Sequence, residues 1–149
     1  MAQTYFGSTV RAGSTSLSDA VDGGFTVLMQ TATVTTVAAG TAVSVTEVLP
    51  AGSQIINLFI DQVVDEVVGG GTATAINATV GTAAAGTQYL SSTNVIAGGR
   101  AALTFTAAQL SAMADIGTNT NVVLTIAPNG TISTTQGVYR FTVVYAQKL

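Results

Sequence analysis

Three carboxylates stand close together in this chain, Asp61, Asp65 and Glu66, within the segment LFIDQVVDEVVGGG. Clustered carboxylates can hold calcium or run paired acid–base chemistry. For acid–base chemistry any two of the seven acids could serve and the sequence names no pair, while the spacing argues against a shared ion. On a strand Asp61 and Asp65 share a face but stand about 13 Å apart, too far for both to hold one ion directly. On a helix they would be neighbours, yet nothing else in the chain completes a calcium loop. The segment reads as a solvated strand end.

The 149 residues include no His and no Cys, which removes imidazole bases, thiolate nucleophiles and the usual zinc and haem ligands. Serine chemistry lacks a partner as well: the lone lysine, Lys148, sits beside the C-terminal residue, and no G-x-S-x-G occurs. The run Gly69-Gly70-Gly71 lacks the Lys that follows a phosphate-binding loop and reads as a turn. Asn77-Ala78-Thr79 and Asn129-Gly130-Thr131 match the glycosylation sequon, as expected by chance in a chain this rich in Thr. The expectation is a protein that is not an enzyme, with no cofactor and no metal.

Only 7% of the residues are charged, against about 25% in an ordinary soluble domain. The formal net charge is −3, and the basic residues Arg11, Arg100, Arg140 and Lys148 lie far apart, so no cluster exists to neutralise several phosphates. Nucleic-acid binding is not expected. The mean hydropathy of +0.54 comes from Ala and Val scattered among Thr, Gly and Ser. Apolar runs such as Leu58-Phe59-Ile60 stop far short of the roughly 18–20 residues needed to span a bilayer. No membrane span is expected, and MAQTYFGSTVR has neither the basic nor the apolar region of a signal peptide.

The elements that must position these residues are mostly strands. The chain holds 25 Thr and 19 Val, β-branched residues that favour a pleated, half-buried backbone. Period-2 alternation puts Val122, Leu124 and Ile126 on one face, and likewise Tyr139, Phe141, Val143 and Tyr145 with Arg140 and Thr142 opposite. Leu103 and Phe105 alternate with Thr104, and Val43 and Val45 with Ser44 and Thr46. Strands are predicted at about 25–37, 41–48, 54–68, 74–81, 101–106, 120–127 and 136–147. Turns divide them at Ala39-Gly40, Pro50–Ser53, Gly69–Gly71, Gly98-Gly99 and Pro128-Asn129-Gly130, the last reading as a hairpin.

One segment, Thr106–Gly117, reads as a short helix: Thr106 as N-cap, apolar Leu110, Met113 and Ala114 at helical spacing, and Gly117 as a stop. Residues 1–24 are Ser-, Gly- and Thr-rich and form either a disordered tail or an arm that orders by docking, with Tyr5 and Phe6 as its anchors. The expected architecture is all-β, a sandwich or closed barrel over residues 25–149 with one short helix and an N-terminal arm over 1–24.

A free monomer exposes many charges, Lys above all at strand edges, and this chain has one Lys. Its surface is therefore either solvated by Thr, Ser, Asn and Gln or covered by neighbours, as in a larger assembly. Arg11, Arg100 and Arg140 join Tyr5 and Phe6 as candidate interface residues, since Arg is the charged residue most used in buried contacts.

The runs LPAGSQIINLFIDQVV (49–64), INATVGTAAAGTQYL (76–90), GGRAALTF (98–105) and GVYRFTVVYAQ (137–147) resemble small structural proteins of tailed bacteriophage virions, in particular the capsid decoration or cement proteins. The resemblance covers about residues 25–147 and rests on the order of strands and turns rather than on a diagnostic motif. It implies a jelly-roll-like sandwich, commonly trimeric, made in the host cytoplasm and seated on the outer capsid surface, where it clamps adjacent major capsid subunits. The segment Ala2–Gly24 would match the extended arm some members use to reach a neighbour, whereas the Thr106–Gly117 helix departs from the family. The alternative is a head-fibre or tail-associated β-domain that binds host glycans, for which no Trp and four Tyr are poor equipment.

Overall fold

A computed structural model describes residues 25–67, 70–132 and 135–148. Nine elements follow in order: β1 Phe25–Thr35, β2 Val43–Leu49, β3 Ser53–Val64, β4 Ile76–Gly81, β5 Leu90–Asn94, β6 Gly99–Arg100, α1 Ala107–Ala114, β7 Thr120–Pro128 and β8 Val138–Lys148. The predicted arm over residues 1–24 lies outside the described residues.

The eight strands form two antiparallel sheets, ordered β1-β8-β3-β6 and β2-β7-β4-β5. Strand β1 pairs with β8, β2 with β7, β3 with β6 and β4 with β5. The chain is thus one long antiparallel ribbon doubled back at β4 and β5, then wrapped until β8 also meets β3 and β7 also meets β4. That wrapped ribbon is a jelly roll, and its two sheets enclose one core.

Alternation explains which side chains fill that core. Tyr139, Phe141, Val143 and Tyr145 of β8 point between the sheets, and their register partners Ile60, Leu58 and Ile55 of β3 share that face. From the other sheet come Val122, Leu124 and Ile126. Two register shifts interrupt β3, at Ile56 and at Val63. Each adds one residue opposite none, so Ile55 and Leu58 both face inward although three positions apart.

Strand β7 is buried on both faces, including Val123 and Thr125. The cause is the segment between β4 and β5, which folds over the outside of its own sheet: the Ala85 N–H donates to the Thr125 hydroxyl at 2.8 Å. Gly81 admits this fold-over, since a Cβ there would fall 2.5 Å from the Gly86 carbonyl carbon.

Three expectations are corrected. Residues 101–106 are not a strand: β6 ends at Arg100, Ala101 makes one further bond to the Ile60 carbonyl, and the chain then leaves the sheet. Leu103 and Phe105 still pack on the core, so their alternation reports one-sided burial rather than a hydrogen-bonded ladder. Pro128-Asn129-Gly130 is not a hairpin turn, because β7 and β8 lie in different sheets. Asn129 instead accepts from the Thr74 and Ala75 N–H groups, tying the crossover to the segment before β4.

The third correction concerns the helix. Thr106 is its N-cap, with a full capping box: the Gln109 N–H donates to the Thr106 hydroxyl, and the Gln109 side chain accepts from the Thr106 N–H at 2.8 Å. The helix nevertheless ends at Ala114, before Gly117, and Leu110 is 53% exposed. Gln109 takes the buried place beside Met113, because its amide also donates to Thr87 O and Ser91 Oγ. Satisfied polar contacts there outweigh burial of one leucine.

Candidate interaction surface

The two sheets differ in what covers them. The outside of β2-β7-β4-β5 carries the chain's own 82–88 segment, whereas among the described residues no segment folds over the outside of β1-β8-β3-β6. Alternation places Val27, Met29, Thr31 and Thr33 of β1 outward, opposite Ala146, Val144, Thr142 and Arg140 of β8. Across β3, Asn57, Phe59 and Asp61 continue these rows. Met29 is 70% exposed, Val27 59%, and Ile56, lifted out by its bulge, 50%.

One row is charged. Asp61 lies directly opposite Arg140 on one side and Arg100 on the other, so strand register alone brings the three together. Arg100 Nε donates to Asp61 Oδ1 at 2.7 Å and its Nη2 to Oδ2 at 3.2 Å, while Arg140 Nη2 reaches Oδ2 at 3.1 Å. The Arg100 guanidinium also stacks over Phe59, 4.5 Å from the ring centroid. Hydrogen bonding from Arg100 outweighs burial and, helped by Arg140, holds the Asp61 carboxyl below its ordinary range. The same bond raises the Arg100 guanidinium.

This overturns the solvated strand end read for Asp61, which is only 8% exposed. Arg100 and Arg140, named as candidates for interface ion pairs, meet on one carboxylate within the chain and remain half-exposed. The row carries two positive charges and one negative, so it presents a surplus of one positive charge beside a neutral apolar strip. Tyr5, Phe6 and Arg11 lie outside the described residues.

The other two acids part company. Glu66 accepts the Tyr139 hydroxyl through both carboxylate oxygens, each at 2.9 Å, and the Gln62 amide as well. Asp65 is exposed beside Gly98. Among the described residues no group of three His, Cys, Asp or Glu is placed to hold a metal.

Replacing Asp61 with Asn is expected to lower stability by about 1–2 kcal/mol, a buried-pair loss discounted because both guanidiniums are half in solvent. The pH dependence follows from the lowered carboxyl. Its contribution is fully present above the unfolded value of about 4 and is lost as pH falls through the lower folded value. Urea midpoints of wild type and Asp61→Asn should therefore differ at pH 7 and converge in acid. Equal midpoints at pH 7 would show the ion row to be energetically idle.

Compared with known proteins, the chain matches no family model, no curated protein and no solved structure.

Proposed function

We propose that this chain is a capsid decoration protein of a tailed bacteriophage, which binds the outer capsid surface and clamps adjacent major capsid subunits. The observation that carries the reading is the open outer face of β1-β8-β3-β6. A monomer spends charge to keep such a face wet, but here Met29, Val27 and Ile56 stand exposed beside a single row of three charged side chains with one net positive charge. The jelly roll is consistent with the role, and so is the low charge of the whole chain. Clamping needs shape-matched area repeated by symmetry, with avidity making up for modest single contacts.

The glycan-binding alternative gains no support from the tyrosines among the described residues. Sugar sites present aromatic faces, whereas Tyr89, Tyr139 and Tyr145 are all buried in the core.

The test is binding to expanded capsids of the virus that encodes the chain, read by co-sedimentation. Saturable binding is expected. Ile56→Asp should weaken it by about tenfold or more, because a charge is buried unpaired in the contact. Thr46→Asp, outward on the opposite sheet, should leave it unchanged. No binding by wild type, or equal loss from both substitutions, overturns the reading.

A further inference from the structure

The sandwich has four strand edges, and three of them are blunted. Strand β6 has two residues, opening with Gly99 at φ +68. Strand β5 is five residues of mostly polar sequence, LSSTN. Strand β2 carries Glu47 opposite Val122, whose side chain is buried in the core, so the carboxylate points into the sandwich, and Pro50 follows the strand. Short length, an inward charge and a nearby proline are standard ways to keep an edge from recruiting another strand.

Strand β1 has none of them. It runs eleven residues, FTVLMQTATVT, without a charge or a proline. Its register with β8 is unbroken from Phe25 opposite Lys148 to Thr35 opposite Val138, so no bulge twists it away. Among the described residues no strand pairs with its other side. The edge strand of the opposite sheet, β2, lies beside it and is tied to it by the Gln30 amide, which donates to Val48 O at 3.1 Å, but forms no backbone ladder with it. A long, unbroken, uncharged edge is an open row of backbone donors and acceptors.

We infer that this edge pairs with the β1 edge of a second copy, antiparallel about Gln30, joining two four-stranded sheets into one of eight. The strand is its own complement in this register. Val27 meets Thr33 of the second copy and Met29 meets Thr31, so outward residues meet outward ones, while Leu28 meets Ala32 and Gln30 meets Gln30 between the layers. A slip of one residue would set outward side chains against inward ones and is disfavoured. Charge permits the approach. Strand β1 itself carries no charge, and the charges of its neighbour β8, Arg140 among them, lie one strand in from the edge, so the two copies of Arg140 stand at least three strand spacings apart, about 14 Å and beyond a physiological Debye length. Glu47 points into its own sandwich.

This contact is two-fold and separate from the three-fold association that the resemblance implies. It predicts assemblies with an even number of copies. It does not depend on the capsid reading, and its test contains no capsid.

The test is the mass of the purified full chain over a concentration series, by light scattering or sedimentation equilibrium. Wild type should reach an even-numbered oligomer. Val27→Lys with Thr33→Lys sets Lys against Lys at two places across the junction and should weaken association by about tenfold or more. Val27→Lys with Thr33→Glu sets Lys against Glu at the same two places and should restore it. Both residues are outward, so circular dichroism should match wild type in each variant. A wild type that stays monomeric or forms only trimers, a Lys-Lys variant that associates like wild type, or a Lys-Glu variant that associates no better than Lys-Lys, each overturns the proposal.

Discussion

Gly40→Ala is expected to be strongly destabilising, more so than an alanine at any other described glycine that turns at positive φ. Gly40 closes the turn between β1 and β2 at φ +71, where an L side chain is strained in any surroundings. The surroundings add more. An added Cβ would sit on the Gly130 carbonyl oxygen, 2.7 Å from its carbon and 3.2 Å from the Thr131 nitrogen. All three are backbone atoms that cannot rotate away. Gly130 has no room to retreat, since its own Cα faces the backbone of Thr72 and Ala73. Three segments are thus stitched at one end of the sandwich: Ile132 N–H bonds Ala38 O, and the Thr72 and Ala73 N–H groups both bond Thr131 O, each at 3.0 Å. The expected loss is about 3 kcal/mol or more, the sum of left-handed strain and a forced separation of the loops. Gly52 supplies the control. Its φ is +73, yet nothing lies within 4 Å of its added Cβ. Gly52→Ala should therefore cost only the strain, about 1 kcal/mol. The difference between the two urea midpoints isolates the steric part, and equal midpoints would refute the close approach.

What is legible in the sequence and what is not divide along one physical line. Alternation is written in the chain itself, so the inward set Tyr139, Phe141, Val143 and Tyr145 and the outward Arg140 were legible before any partner strand was known. The Thr106 cap was legible too, being a contact between residues three apart. What failed depended on strands far away in sequence. The Pro128-Asn129-Gly130 turn suits a hairpin locally, but only the wrapping of the ribbon decides that its two strands belong to different sheets. Strand β5 is polar on an edge and shows no alternation strong enough to mark it.

Asp61 shows the same limit at the candidate surface. Its flanking Leu58 and Ile60 are inward, which alone orients the carboxylate outward. That it is sandwiched between Arg100 and Arg140 requires β3 to lie between β6 and β8, separations of 39 and 79 residues. Arg100 and Arg140, read from the sequence as candidates for interface ion pairs, both meet Asp61 within the chain and keep about half their side-chain surface in solvent. Beside them the same face presents the apolar side chains of Met29, Val27 and Ile56.

Tyr139→Phe is expected to have the second largest effect, about 1.5–3 kcal/mol, the range for a hydrogen bond to a charged group. The ring is fully buried, and its hydroxyl is held by both oxygens of Glu66. Glu66 reaches that position because residue 137 is glycine: a Cβ there would fall on its Oε2. Thr36 fixes Gly137 in turn, its hydroxyl accepting from the Gly137 N–H at 2.8 Å while its own N–H donates to Gly137 O at 2.9 Å. Removing the phenolic oxygen leaves the packing of the ring intact and deprives a half-buried carboxylate of its main donor. The pH dependence separates this loss from a packing defect. Burial first, and the adjoining Glu66 carboxylate next, push the Tyr139 hydroxyl well above its ordinary value, and burial pushes Tyr89 up as well. In the unfolded chain both ionise near pH 10, whereas the folded chain holds both protons to higher pH. Each group's contribution is complete below pH 10 and declines above it at up to about 1.4 kcal/mol per pH unit. Wild type should lose stability above pH 10 more steeply than Tyr139→Phe, by up to the slope of one proton. Identical alkaline slopes would mean that Tyr139 is not held by Glu66 as a proton donor.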